Sequence, residues 1–198
     1  MRVIVGCEES QRICKAFRAK GHEAYSCDLI PCSGDRPEWH IQDDILNHLD
    51  DDWDIGIFNP PCTNLCNSGI RWLHEDDTRW FKMVLAAEFF KTLLETPTIP
   101  RICIENPRPH IYAENEIGVK ESQIIQPYSF GDCDESKETY LWLKNLPRLR
   151  PTAEFRFVDK GIRQSIFNEP PSENRSMIRS KTFQDIADAM ADQWGSLA

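Results

Sequence analysis

The chain has 198 residues, 40% hydrophobic and 28% charged, the make-up of an ordinary soluble domain with material for one core and too little for two. Its net charge of −9 excludes an evenly basic DNA-gripping surface, so any nucleic-acid contact needs a local basic patch or another partner. No apolar run approaches a membrane span, and Met1-Arg-Val-Ile-Val-Gly-Cys-Glu-Glu9 turns acidic too early for a secretory leader, so a cytoplasmic protein with no membrane partner is expected. The cysteines Cys7, Cys14, Cys27, Cys32, Cys62, Cys66, Cys103 and Cys133 are scattered through apolar segments, which predicts reduced thiols. Cys62-x3-Cys66 and Cys27-x4-Cys32 lack the repeated close pairing of a structural zinc site, and no metal is expected.

Arg2 to Gly6 reads as an apolar strand entering a tight turn at Gly6-Cys7-Glu8-Glu9. Ser10 is the expected N-cap of a helix in which Ile13, Cys14 and Phe17 recur at helical spacing, with Gly21 closing it. His22 to Cys27 reads as a second strand and ends on Asp28. A strand, turn, helix and strand followed by an acid twenty-two positions after Gly6 is the layout of a site that holds an adenosine through its ribose hydroxyls. A single glycine argues against a dinucleotide, whose pyrophosphate needs close backbone approach, and leaves room for a phosphate-free adenosyl group. The plain alternative is that Asp28 only opens a loop. Leu29 to Trp39, with Pro31, Gly34 and Pro37, is that loop, and His40 to Ile45 reads as a third strand end carrying Asp43 and Asp44.

Asp54 to Phe58 is a buried strand, and Asn59-Pro60-Pro61 takes the chain off the sheet in one rigid direction. Cys62 therefore stands just beyond a strand's carboxyl end, where open α/β sheets carry their chemistry. It reads as a nucleophile or as a small buried hydrophobe. Trp72 is expected near the site, and a helix from about Asp76 to Leu94 puts Trp80, Val84, Ala87, Phe90 and Leu94 on a broad apolar face. Arg101 to Glu105 is another buried strand, running into Glu105-Asn106-Pro107. If its neighbour is the Cys62 strand, Glu105 sits beside the thiol, and desolvation equips it to donate a proton near neutral pH.

Gln123 to Tyr128 and Thr139 to Leu143 read as an antiparallel pair joined by the polar turn from Phe130 to Lys137. The stretch 147–181 is a loop-rich excursion with the densest basic content, Arg148, Arg150, Arg156, Lys160, Arg163, Arg175, Arg179 and Lys181. Thr182 is the expected cap of a last amphipathic helix carrying Phe183, Ile186, Met190 and Trp194 and ended by Gly195. With no internal repeat, residues 1–198 read as a single domain.

Taken in this order, the residues carry a resemblance to the DNA cytosine-5 methyltransferase family, and especially to the short methyltransferase-like proteins of bacteriophage genomes. Pro61-Cys62-Thr63-Asn64-Leu65-Cys66-Asn67-Ser68-Gly69 resembles that family's Pro-Cys-Gln loop with its trailing Ser and Gly, and Glu105-Asn106-Pro107 resembles its Glu-Asn-Val motif. Asp28 and Leu29 fall where the ribose-binding acid stands, Asp44-Ile45 where the adenine-side acid stands, and Glu135-Ser-Lys-Glu-Thr139 in the place of a Gln-x-Arg-x-Arg motif, with Lys137 keeping the charge. The helix after Thr182 resembles the last motif, which packs back on the cofactor pocket.

The resemblance implies a Rossmann-like S-adenosylmethionine-dependent methyltransferase fold of the α/β class: a mostly parallel central sheet, flanking helices and an antiparallel C-terminal hairpin. It implies catalytic roles for Cys62, Glu105, Asn106 and Lys137, and cofactor contacts from Gly6, Cys7, Glu8, Asp28, Leu29, Asp44, Ile45, Asn59 and Pro60. The implied substrate is cytosine in DNA, flipped out of the duplex, with a protein partner supplying target recognition. The chain departs from the family at three places. Val5-Gly6-Cys7-Glu8-Glu9 replaces the Phe-x-Gly-x-Gly loop, Thr63 replaces the Gln, and no target-recognition domain fits between Lys144 and Ser180. Asn59-Pro60-Pro61-Cys62 also resembles the Asn-Pro-Pro-aromatic motif of amino-methyltransferases, and Glu105-Asn106 favours the cytosine-5 reading. Two alternatives stay open: C5 modification of a free pyrimidine nucleotide, favoured by the acidic charge, and a catalytically altered phage protein that binds a ligand or counters host defence, favoured by the changed glycine loop.

Overall fold

The structure, a computed structural model, describes residues 1–67, 77–153, 168–172 and 175–197. Trp72, Asp76, Ser68, Gly69, Arg156, Lys160 and Arg163 lie outside the described residues. Seven strands form one sheet: β1 Arg2–Gly6, β2 Glu23–Asp28, β3 His40–Gln42, β4 Ile55–Phe58, β5 Arg101–Asn106, β6 Gln123–Ile125 and β7 Thr139–Lys144, in the order β3-β2-β1-β4-β5-β7-β6. The first five run parallel, and β7 pairs antiparallel with both β5 and β6. This is the Rossmann-like α/β architecture expected from the sequence, hairpin included. The order reverses between β1 and β4, so the crevice of a doubly wound sheet opens above their carboxyl ends.

Two apolar layers cover the sheet. On one face α1 (Arg12–Ala19) buries Ile13, Cys14 and Phe17 beside Ile186, Ala187, Met190 and Trp194 of the last helix, Gln184–Trp194. On the other, α2 (Asp77–Glu95) buries Met83, Ala87, Phe90 and Leu93 together with Ala113 and Ile117 of α3 (Ile111–Ile117). A short helix α4 spans Arg175–Ser180 within the stretch expected to be loop, which makes the last helix α5. Among the described residues no helix is long and apolar enough to cross a membrane.

The strands end where proline or an acid intervenes, and the helix caps differ from expectation. Ser10 does not cap α1. The chain reverses at Cys7 (φ 58°), Gln11 occupies the N-cap at φ 58°, and the buried Glu8 carboxylate accepts from Ile13 N at 2.7 Å and Cys14 N at 3.2 Å. A carboxylate answers the unpaired N–H groups of a first turn as well as a hydroxyl does and complements the helix dipole too. Thr182 does not cap α5 either: Phe183 is its N-cap, and Thr182 Oγ1 is buried with no hydrogen-bond partner among the described residues. β3 stops at Gln42 because the Asp43 and Asp44 side chains accept the N–H groups of Asp44 (2.7 Å) and Leu46 (3.0 Å), turning the chain into a 3₁₀ segment, Ile45–His48. β6 stops before Pro127, which begins a second such turn, Pro127–Ser129.

Burial lifts the Glu8 carboxyl to about 7, against the opposing hydrogen bonds from Ile13 and Cys14. Its folded value lies above its unfolded one, so the stability it contributes is complete below about pH 4.5 and is lost as pH rises through about 7. Glu8→Gln keeps an acceptor for Ile13 and cannot ionise. Thermal unfolding should show the parent losing on the order of 1 kcal/mol more than this variant between about pH 6 and about pH 8.

Candidate active site

The site begins at the end of β4. Asn59 N continues the β1 ladder by donating to Gly6 O at 3.0 Å, and then Pro60 and Pro61, without N–H groups, leave the sheet. Asn106, at the end of neighbouring β5 and 1% exposed, donates from Nδ2 to Pro60 O at 2.8 Å. The chain then closes one helical turn, with Leu65 N and Cys66 N both donating to Cys62 O (2.9 and 3.0 Å). Leu65 O accepts from His110 N at 2.7 Å, and Cys66 pairs antiparallel with Pro109 in an isolated bridge. Residues 60–66 are thus fastened at both ends to the segment that leaves β5.

Four residues meet here. Cys62 is half-buried, Glu105 is 6% exposed, and β5 and β4 are parallel neighbours with Phe58 beside Ile104. β7 returns antiparallel with Tyr140 opposite Asn106, which brings Lys137, three residues upstream, back to this edge. Cys62 registers the company it keeps. A hydrogen bond from Cys66 brings its thiol down to about 7; burial opposes this, the Lys137 charge assists it, and the Glu105 charge opposes it. Its bond to Cys62, and then burial, push the Cys66 thiol strongly upward. Cys62, Glu105, Asn106 and Lys137, separated by 75 positions of sequence between first and last, share one strand edge.

The residues expected to contact an adenosyl ligand lie across β1. Gly6 faces a full interior: a Cβ there would lie 2.7 Å from both Ile45 Cγ1 and Phe58 Cδ1. Cys7 has its thiol pushed up to about 12 by burial and then by the charges of Asp28, Cys27 and Asp44, so Asp28 and Asp44 both face it. Burial also raises the Asp28 carboxyl, whose Oδ1 accepts from Ile30 N at 3.3 Å. Leu29, 70% exposed, offers an apolar flank beside that acid. Asn59 Oδ1 is buried with no hydrogen-bond partner among the described residues, an acceptor waiting for a donor. Glu8 is committed to the start of α1, as described above. Glu9, the next acid, accepts from Ser33 Oγ and lies 3.8 Å from Lys181 Nζ, while Thr182 O accepts from Arg12 Nη1 at 2.7 Å. The segment leading into α5 therefore closes over the β1–α1 turn.

Chemically, the crevice has two halves. Asp28, Asp44, exposed Leu29 and the unpaired Asn59 acceptor fit an adenosyl ligand bearing positive charge and no phosphate, since an acidic lining repels phosphate. The other half presents a thiolate near neutral pH, flanked by a buried carboxyl and an ammonium. Among the described residues no group of three or more His, Cys, Asp and Glu could hold a metal ion. Sequence reasoning weighed Cys66 only as a metal ligand; its spacing of four from Cys62 in a turn-forming stretch was the available signal. It also passed over α3, whose seven residues are too few to show a helical period, although His110 Nδ1 accepts from Tyr112 N (3.2 Å) and Gly118 (φ 71°) closes the C-terminus.

Fold and site together define an α/β protein of Rossmann-like architecture with a half-buried thiol, Cys62, beside its topological switch point. Among solved structures, the chain is similar to a prophage-encoded E. coli protein described as a DNA modification methyltransferase, with a TM-score of 0.46 and 13% identity over 72% of this chain and 46% of that one. It is also similar to the Entamoeba histolytica methyltransferase EhMeth, with a TM-score of 0.44 and 14% identity over 87% of this chain and 60% of that one. The chain thus spans less than two thirds of the length of either. No family model and no curated protein sequence matches it.

The thiol shifts order the cysteines by reactivity, because the thiolate is the form that alkylates. Brief treatment with iodoacetamide should modify Cys62 ahead of Cys7, Cys14, Cys27, Cys66 and Cys103, all of which are pushed up. Peptide mass spectrometry across a pH series should place the Cys62 inflection near pH 7, with the rate rising as pH rises through it.

Proposed function

We propose that the protein is an S-adenosylmethionine-dependent methyltransferase acting at C5 of cytosine in DNA, with Cys62 as nucleophile. The observation that carries this reading is the Cys62 sulfur, thiolate-prone near neutral pH, beside buried Glu105 at the carboxyl ends of adjacent strands. Cytosine C5 is inert toward alkylation until electrons are pushed into the ring. A thiolate lone pair from Cys62 forms a bond to C6, and the C5=C6 electrons move into the ring as Glu105 gives its proton to N3. S-adenosylmethionine, when bound, supplies an electrophilic methyl group for the C5 so activated. Water then takes the C5 proton, the C5–H electrons restore the C5=C6 bond and expel Cys62 as thiolate, and N3 returns its proton to Glu105.

Asn106 keeps the loop under this chemistry in place through its bond to Pro60 O, and Lys137 steadies the thiolate and the substrate. Asp28 accepts the ribose hydroxyls, Leu29 and Ile45 flank the adenosine, Asp44 takes the adenine side, and Gly6, Cys7, Asn59 and Pro60 line the remaining wall. Glu8 contributes by holding the start of α1 under that wall.

A second reading, C5 modification of a free pyrimidine nucleotide, is favoured by the net charge of −9 and by the short connection available for reading a duplex. DNA oligonucleotides and dCMP offered side by side distinguish the two.

Isothermal titration should detect S-adenosylmethionine binding in the micromolar range, about −8 kcal/mol. Cys62→Ser should bind the cofactor as the parent does and show no methyl transfer to radiolabelled product; turnover equal to the parent's would remove Cys62 as nucleophile. Asp28→Ala should weaken cofactor affinity by about tenfold or more, the worth of one hydrogen bond to a charged acceptor. Unchanged calorimetric affinity would take Asp28 out of the site.

A further inference from the structure

Cys66 is left over by this chemistry, yet it is placed more tightly than Cys62 itself. It stands four residues on in a single helical turn, and residues i and i+4 share a face, which puts it on the same side of the turn as Cys62. Its backbone is fixed twice, by its N–H to Cys62 O at 3.0 Å and by the bridge to Pro109, and the preceding carbonyl is held by His110 N. Its S–H is buried and has three acceptors within reach: the Cys62 sulfur, Asn106 Oδ1 at 3.6 Å and Pro107 O at 3.6 Å. One hydrogen cannot serve all three. A charged acceptor takes the stronger bond, so the hydrogen belongs to Cys62 while that sulfur is a thiolate.

We propose that Cys66 is a positioning residue for Cys62: its S–H donates to the Cys62 sulfur and holds it as an aimed nucleophile, then turns to Asn106 Oδ1 or Pro107 O when that sulfur bonds to a substrate. The inference rests on Cys62 being the nucleophile of the proposed reaction. No proton leaves Cys66 in either state; only its hydrogen-bond acceptor changes. The two standby oxygens matter because a covalent thioether is a poor acceptor, and a buried donor stranded by it would cost free energy in the intermediate. The hydrogen bond to Cys62, burial and the Cys62 and Glu105 charges keep the Cys66 proton on its sulfur while Cys62 is a thiolate, and burial and Glu105 keep it there once Cys62 is bonded, which supports the arrangement.

The test reads Cys62 directly and needs neither cofactor nor substrate, so it succeeds or fails independently of what the protein methylates. Parent, Cys66→Ala and Cys66→Val, kept reduced with a phosphine, are alkylated with iodoacetamide across a pH series, and the Cys62 peptide is followed by mass spectrometry. Loss of the donor should move the Cys62 inflection upward by about one pH unit, a drop of about fivefold in rate at pH 7. Valine fills the space that alanine leaves, so one donor-free variant is available should the other fail to fold, and thermal unfolding identifies which is native. An inflection unmoved in a folded donor-free variant overturns the proposal. A shifted inflection together with an inactive Cys62→Ser upholds it; a shifted inflection with Cys62→Ser turning over like the parent shows the hydrogen bond but overturns the positioning role along with the Cys62 reaction.

Discussion

The hydrogen bond from Asn106 Nδ2 to the Pro60 carbonyl is the constraint on which the site depends. Two parallel strands, β4 and β5, end side by side, and a sheet ladder can join them only as far as each supplies N–H groups. Pro60 and Pro61 supply none, so the ladder fails just where the chain carries Cys62 outward. The Asn106 side chain takes the place of the missing rung. It is 1% exposed, so the bond forms away from competing water and an unpaired Pro60 carbonyl would carry the full penalty of a buried unmet acceptor. The Pro-Pro step sets the direction of the Cys62 turn, and Asn106 sets its distance from Glu105.

That turn also sorts charge. On its side of β1, Cys66 and Lys137 draw the Cys62 thiol down; on the other side, Asp28 and Asp44 push the Cys7 thiol up. Two half-buried thiols, each just beyond the end of a neighbouring strand, are therefore shifted in opposite directions. Burial alone raises both, so the difference comes from the sign of the charges and donors around each. Such a division suits a crevice in which a cationic ligand lies against acids while an electron-poor ring meets a nucleophile. It also keeps Cys7 inert beside the reactive Cys62.

How much of this was legible in the sequence follows from the range of the forces involved. The strands at Arg2, Ile55 and Arg101 were readable because uninterrupted apolar runs end at Gly, Asn-Pro-Pro and Asn-Pro, and each boundary is a local matter. The meeting of Cys62 with Glu105 followed from placing those two strands side by side. The start of α1 was not readable, because Ser10 is the better local cap and loses only through a reversal at Cys7 that buries Glu8. β3 was overextended for a similar reason: aspartate side chains that cap their own backbone look, in sequence, like the polar half of a strand's alternation. The closeness of Cys66 to Cys62 went unread because the spacing was compared with metal sites and not with a helical turn.

Gly6 shows why a chain with a single glycine in this turn still builds the crevice. The Phe58 ring lies where a Cβ on Gly6 or on Gly56 would fall, 2.7 Å from each, and Ile45 closes on Gly6 from the other side. The glycine thus answers an aromatic side chain from the strand that leads to Cys62 and an aliphatic one from the turn that carries Asp44. A further glycine would serve close approach to a phosphate, and the acidic lining around Cys7 has no use for one. Because Phe58 packs beneath Gly6 and begins the step to Asn59, Pro60 and Cys62, the β1 turn and the base of the thiol turn are one packing unit. Interiors packed at this density do not yield by halves, so a displacement of the β1 turn is transmitted to the Cys62 loop through a single ring.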